Sequence, residues 1–399
     1  MATQACGSEI ELVIETSTIN ADNYSYRNNH YDSFSMILAK RSLMSLNSII
    51  TKFHAGYFRI SFSLAGQALL WKTLLVEPTN DTSSIRHVIR KLHPTTFLVL
   101  WSLAFFMLVL LSLLYLLRCL FCFKMVKAEF LHRVGVNYLF APWISWLLLL
   151  QSAPFVPPKS VSYSVLWCVF TVPVVLLDVK IYGQWFTKGK RFLSTVANPT
   201  SQISVIGNLV GAQAAARMGW KESAVCLFSL GMVHYLVLFV TLYQRLSGGN
   251  RLPALLRPVF FLFFAAPGMA SLAWESIVGD FDTGSKMLFF LSLFLFTSLV
   301  CRPMLFKRSM RRFNVAWWAY SFPVTVLALA STQYAQQVKG NIAHFLMLLL
   351  LTLSVFVCLG LTAFTLINHK MLLPDNDPIA NLVIYLPTSE PMNSPLNYD

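Results

Sequence analysis

From Phe313 to Tyr334 the chain runs without a charged side chain, and Arg311, Arg312 and Lys339 stand just beyond its ends. A helix rises about 1.5 Å per residue, so a run of this length crosses the hydrocarbon of a bilayer. Phe322 and Pro323 lie at its centre. The proline lacks a backbone donor and clashes with the preceding turn, so the helix is expected to kink or break there. A bulky ring just before a kink, flanked by Ala319, Ser321, Thr325 and Ala328, either projects into a lumen or packs against a neighbouring helix.

Nine more apolar runs accompany this one, and composition explains why so many fit. Charged residues make up 12% of the 399, against about 25% in soluble domains. The chain therefore reads as a polytopic membrane protein. Its net charge of +14 sits in short loops between apolar runs, which is the pattern of cytoplasmic loops, so no nucleic-acid partner is implied. The seven cysteines lie mostly within or beside apolar segments. Cys119 and Cys122 have metal-like spacing but no second pair, so neither a disulfide framework nor a metal site is expected. Residues 1–35 are polar, which leaves the first membrane helix to act as its own insertion signal.

Residues 1–35 read as disordered and 36–50 as an interfacial amphipathic helix carrying Lys40 and Arg41. The expected spans are about 54–75, 96–117, 134–155, 161–182, a fifth opening at Asn198-Pro199, then 223–243, 258–276, 286–302, 313–334 and 342–368. Residues 51–370 thus form the membrane domain, and 371–399 a disordered cytoplasmic tail.

An alternation runs through the series. Spans three, five, seven and nine carry Pro142, Pro199, Pro267 and Pro323, and the first carries Gly56 and Gly66. The even spans are plain Leu, Phe and Val runs, apart from Pro173 in the fourth. Interrupted helices are tolerated where protein or water satisfies the freed backbone, while plain apolar helices suit lipid. The expected architecture is all-α: ten transmembrane helices in five hairpins, odd helices lining a central pore and even helices outside. With the N-terminus inside, the inner loops hold fourteen Lys and Arg and the outer loops seven. The positive-inside rule then leaves both termini in the cytoplasm. It also puts the sequon at Asn80 outside and that at Asn23 inside.

The available chemistry suits anions. Carboxylates within the spans are scarce, with Asp178 and Glu275 near span ends and Glu129 before the third, so the acidic relay of a proton-coupled pump is missing. His234 reads as a structural hydrogen-bonding residue. No nucleophile motif or phosphate loop argues for an enzyme, and no cofactor is implied. Arg59 is a cation inside the first span, costing about 2.5–3.5 kcal/mol at mid-membrane if unpaired. It lines a pore, or it snorkels or pairs with a carbonyl. Asn198, Thr200, Ser201, Gln202, Ser204 and Asn208 offer neutral groups that solvate an ion without trapping it. Pro142, Pro267, Ser321 and Thr325 complete the candidate pore lining. Basic residues at the inner rim raise local anion concentration or serve only as orientation signals. No ladder of arginines at every third position occurs, so voltage dependence is expected to be weak.

Several strings together resemble the plant slow-type (S-type) anion channel family. They are Phe53-His-Ala-Gly-Tyr-Phe-Arg59, Tyr182-Gly-Gln-Trp185, Val196-Ala-Asn-Pro199, the run from His234 to Arg245, Ala265-Ala-Pro267, and the run from Phe313 to Pro323. The resemblance covers about residues 50–370 and extends to the bacterial tellurite-resistance and dicarboxylate transporter family. It implies a homotrimer in which each ten-helix protomer has its own pore. That pore passes chloride, nitrate or organic anions and is occluded by a phenylalanine matching Phe322. It further implies mouth cations at Lys127, Arg191 and Arg302, and puts Leu148 where the family has a second pore phenylalanine. The short tails match a short-tailed branch.

The leading expectation is an anion channel subunit of the plasma membrane, in contact with lipid. A second is an electrically silent subunit assembling with a longer-tailed homologue. A third is a dicarboxylate carrier.

Overall fold

The computed structural model describes residues 48–76, 94–132, 134–187, 198–247, 254–307, 310, 313–368 and 372. Asn80, Asn23, Arg191, the expected disordered segment 1–35 and, apart from Leu372, the expected tail 371–399 lie outside these residues. Of the expected amphipathic helix only its end is described, and that helix runs to residue 52.

Among the described residues all regular structure is helical. The ten main helices are α1 (Arg59–Val76), α2 (Pro94–Phe121), α3 (Phe140–Ser152), α4 (Val161–Thr187), α5 (Gln202–Met218), α6 (Lys221–Ser247), α7 (Leu262–Val278), α8 (Thr283–Val300), α9 (Ser321–Val338) and α10 (Asn341–Ile367). A linker helix, Phe123–Leu131, and a single turn, Gly135–Tyr138, precede α3.

Seven of these are long and apolar enough to cross a membrane: α2, α4, α6, α7, α8, α9 and α10, two of them together with the turn ahead of them. The bent pair leading into α3 makes an eighth if it counts as one span. The two that fall short, α1 and α5, are rich in polar and small residues, such as Ser61, Ser63, Gln67, Gln202, Ser204 and Asn208. All six of these side chains are buried. A helix enclosed by other helices need not be apolar enough for lipid, because its neighbours satisfy its polar groups.

Packing separates the helices into two sets. The buried share of the spanning window is 89% in α9 and 61% in α7, but 17% in α8, 22% in α2 and 33% in both α4 and α10. From Gln202 to Ala215 every residue of α5 is buried. The five odd helices touch in a closed cycle: α1 on α3, α3 on α5, α5 on α7, α7 on α9, and α9 back on α1. Each even helix packs on the odd helix before it in the chain. The outward faces of α2, α8 and α10 carry exposed Phe106, Phe294, Phe345 and Phe356.

The odd helices also start alike. Short 3₁₀ turns, Ala55–Phe58, Pro199–Ser201, Ala254–Phe261 and Val315–Tyr320, lead directly into α1, α5, α7 and α9. Side chains cap three of them: His54 Nδ1 accepts from the Gly56 N–H, Asn198 Oδ1 from Thr200 and Asn314 Oδ1 from Ala316, each at 3.0 Å. Such caps satisfy donors that have no partner inside the helix. Pro323 therefore lies in the first α-turn after a 3₁₀ segment, and the expected break takes the form of that switch. Pro142, Pro199 and Pro258 likewise fall in or near opening turns, where the missing N–H matters least.

Candidate functional site

Within the cycle of odd helices, Phe322 of α9 is 1% exposed and stacks on Phe62 of α1, with ring centroids 3.8 Å apart and planes 23° from parallel. Gly66, one turn along α1, makes room for this seat. A Cβ at that position would meet the Phe322 ring at 3.0 Å, tighter than packed side chains tolerate. Next to it, Gln67 Nε2 donates to Thr325 Oγ1 at 2.9 Å and to Ser354 Oγ at 2.8 Å, tying α1 to α9 and α10. Thr325 Oγ1 and Ser354 Oγ lie 3.0 Å apart, and the Ser321 carbonyl accepts from Thr325 at 2.9 Å. Interhelical polar contacts of this kind hold membrane helices together where lipid removes the hydrophobic drive.

Sequence reading singled out Phe322 and Thr325 but missed Phe62 and Gln67, and it noted Gly66 only as an interruption. The signal was in the string Phe62-Ser-Leu-Ala-Gly66, because residues four apart share one helix face. Leu148 is 1% exposed on α3, and Pro267 is buried on α7. Pro142 is partly buried near the start of α3.

At the end where the odd helices begin, the opening turns touch in the same cyclic order as the helices they start. Asn137 Nδ2 of the Gly135–Tyr138 turn reaches Thr200 Oγ1 at 3.2 Å and Ser201 Oγ at 3.4 Å. The Asn198 side chain is engaged as a cap. Ser204 faces α6 and shares a 3.1 Å hydrogen bond with His234 Nδ1. His234 is 1% exposed. Arg59 is 5% exposed, and its guanidinium carbon lies 4.3 Å from the centroid of the Tyr138 ring, a cation–π contact.

The linker helix is tied in by Glu129. This buried carboxylate accepts from the Ala55 N–H at 2.8 Å, at the very start of the turn that opens α1, and lies 3.9 Å from Arg118. Lys127, on the same linker helix, is exposed, as is Arg302 after α8. The described cysteines are free, and the described residues contain no group of ligands able to hold a metal.

A closed set of buried, partly polar helices sheathed in apolar ones defines a multi-pass membrane protein. The family model described as SLAC1, voltage-dependent anion channel, matches residues 52–366. The chain is 60% identical over 342 residues to "S-type anion channel SLAH1" of Arabidopsis thaliana, covering 86% of this chain and 88% of that protein. It is 59% identical over 336 residues to "S-type anion channel SLAH4" of the same plant, covering 84% and 89%. "Guard cell S-type anion channel SLAC1" is 42% identical over 321 residues, covering 80% of this chain and 56% of that protein. The chain belongs to the S-type anion channel family. Proteins so named are channels, not enzymes.

Proposed function

We propose that this protein is a slow, weakly voltage-dependent anion channel subunit of the plasma membrane, passing chloride, nitrate or similar anions. Ten helices cross the bilayer as five hairpins, both termini are cytoplasmic, and Asn80 is outside. The odd helices surround the pore of each protomer, and three protomers assemble. Phe322 is the gate and Pro323 sets the turn that aims it. Leu148 forms a second constriction, and Lys127, Arg191 and Arg302 gather anions at the cytoplasmic mouth. Asn198, Ser201, Pro142, Pro267, Ser321 and Thr325 contribute to the lining, while Ser204, turned to His234 on α6, serves helix packing.

One observation carries this reading. Phe322 of α9 is 1% exposed and stacks on Phe62 of α1, two helices adjacent in the closed cycle, and in the proposed pore an anion would have to shed water to pass that pair. Burying a phenylalanine is worth about 1.5–3 kcal/mol, enough to keep the ring in one rotamer most of the time. Phe322→Ala should therefore raise basal anion current in oocytes at matched surface expression. A variant that reaches the surface as a trimer without extra current, alone or with a conducting homologue, removes Phe322 as the gate.

The tightness of the same seat favours a second reading. With Phe322 held between Phe62 and Gly66, the subunit is closed as built and acts as an electrically silent partner of a longer-tailed homologue. Current from the homologue with and without this chain separates the two.

A further inference from the structure

Arg59 is unusual among the buried charges. Lys72, at the far end of α1, donates to the carbonyls of Gln151 and Ala153 at 2.9 and 3.2 Å, where the C-terminal end of α3 favours a cation. Glu129 and Arg118 face each other. Arg59 Nε and Nη2 are buried and have no hydrogen-bond partner among the described residues. The guanidinium sits between two opening turns, with its face on Tyr138 and Nη2 3.6 Å from where a Cβ on Gly56 would lie. Both turns belong to the closed cycle of five helix starts. Gln202, at the start of α5, is also fully buried, and neither its Nε2 nor its Oε1 has a partner among the described residues.

Helix N-termini carry partial positive charge and bind anions. Five of them meet in one cycle, Arg59 lies between two of their opening turns, and burying its charge without a counter-ion is costly. The only carboxylate described among these starts is Glu129, which already accepts from the Ala55 N–H and faces Arg118.

We propose that this cycle of helix starts is a binding site for one small inorganic anion, chloride or nitrate, with Arg59 as its principal ligand. The site rests on the anion-channel reading and lies at the helix starts, one helical turn before Phe62. Arg59 Nε and Nη2 donate to the anion.

The test uses the full-length protein purified in detergent, melted across a chloride series with gluconate holding ionic strength constant. The midpoint should rise with chloride, and likewise with nitrate, because an anion that binds only the folded state stabilises it. Arg59→Gln should abolish that dependence while melting no lower than wild type in gluconate, since it removes a buried unpaired charge. Lys159→Gln, on the exposed loop before α4, should keep it. A constant downward offset in Arg59→Gln with the chloride slope intact would mean that Arg59 only packs on Tyr138, and would overturn the site. So would a wild-type midpoint indifferent to chloride; currents recorded from that same protein would leave the channel reading standing. If Arg59→Gln does not fold, Arg59→Lys is read instead. It keeps the charge but loses the fork of donors and should bind chloride at least about tenfold more weakly; equal affinity rejects the proposal.

Discussion

The odd helices and the even helices use the same kinds of residue for opposite purposes. On α8 and α10, Phe294 and Phe356 are 66% and 68% exposed, turned toward lipid. On α7 and α9, Phe264 and Phe322 are 0% and 1% exposed. The even helices are the more apolar because lipid is their solvent. The odd helices admit Gln67, Thr325, Gln202 and Asn208 because other helices are theirs. In a soluble protein the apolar face marks the inside. Here apolarity marks the outside, and burial has to be inferred from small, polar and proline residues.

This contrast can be broken most directly by cutting matched rings. Phe264→Ala on α7 leaves a cavity and should cost about 3 kcal/mol or more, whereas Phe294→Ala on α8 should change thermal stability in detergent by less than about 1 kcal/mol. Equal losses would mean that the odd helices are no better packed than the even ones. Gln67→Leu then probes the polar link of the inner set. Losing its bonds to Thr325 and Ser354 should cost about 1 kcal/mol, read as a lowered melting midpoint, while an unchanged midpoint would reduce the link to decoration.

Neutralising Lys127, Arg191 and Arg302 together should lower anion current about threefold at low ionic strength and less at high salt, where screening shortens their reach. A triple variant with unchanged current and salt dependence would make these residues orientation signals only. The smallest effect belongs to the loop before α8. Asp282 caps that helix by accepting from the Ser285 N–H at 2.9 Å, and it also accepts from Trp274 Nε1. The backbone bond from Ser285, more than the indole, holds the Asp282 carboxyl below the usual carboxylate range. Its stabilisation is therefore present above the unfolded-state pKa and fades as pH falls through the lower folded-state value. Asp282→Asn should melt slightly below wild type at neutral pH, with the gap closing in acid. A gap that persists in acid would point to geometry, not charge.

Much of this molecule was legible before folding. The apolar runs dictate helices, because a backbone in lipid has to satisfy itself. The proline alternation separated α3, α5, α7 and α9 from the plain even runs, and the strings around Asn198 and Phe322 carried the family. Phe322 stood out as a ring beside a proline.

What the linear order left undecided was contact. Gln67 and Thr325 are 258 positions apart, and nothing in either segment names the other as its partner. The run around Phe322 allowed a lumen-facing plug or a packed ring. Only the approach of α1, permitted by Gly66, set Phe62 against it. Arg59 likewise read as a snorkelling, paired or pore-lining cation. Its place between the turns that open α1 and α3 exists only once those turns are assembled, because each taken alone is an ordinary helix start. A sequence records which solvent each helix tolerates. Which side chains meet within the bundle depends on close packing across the whole chain.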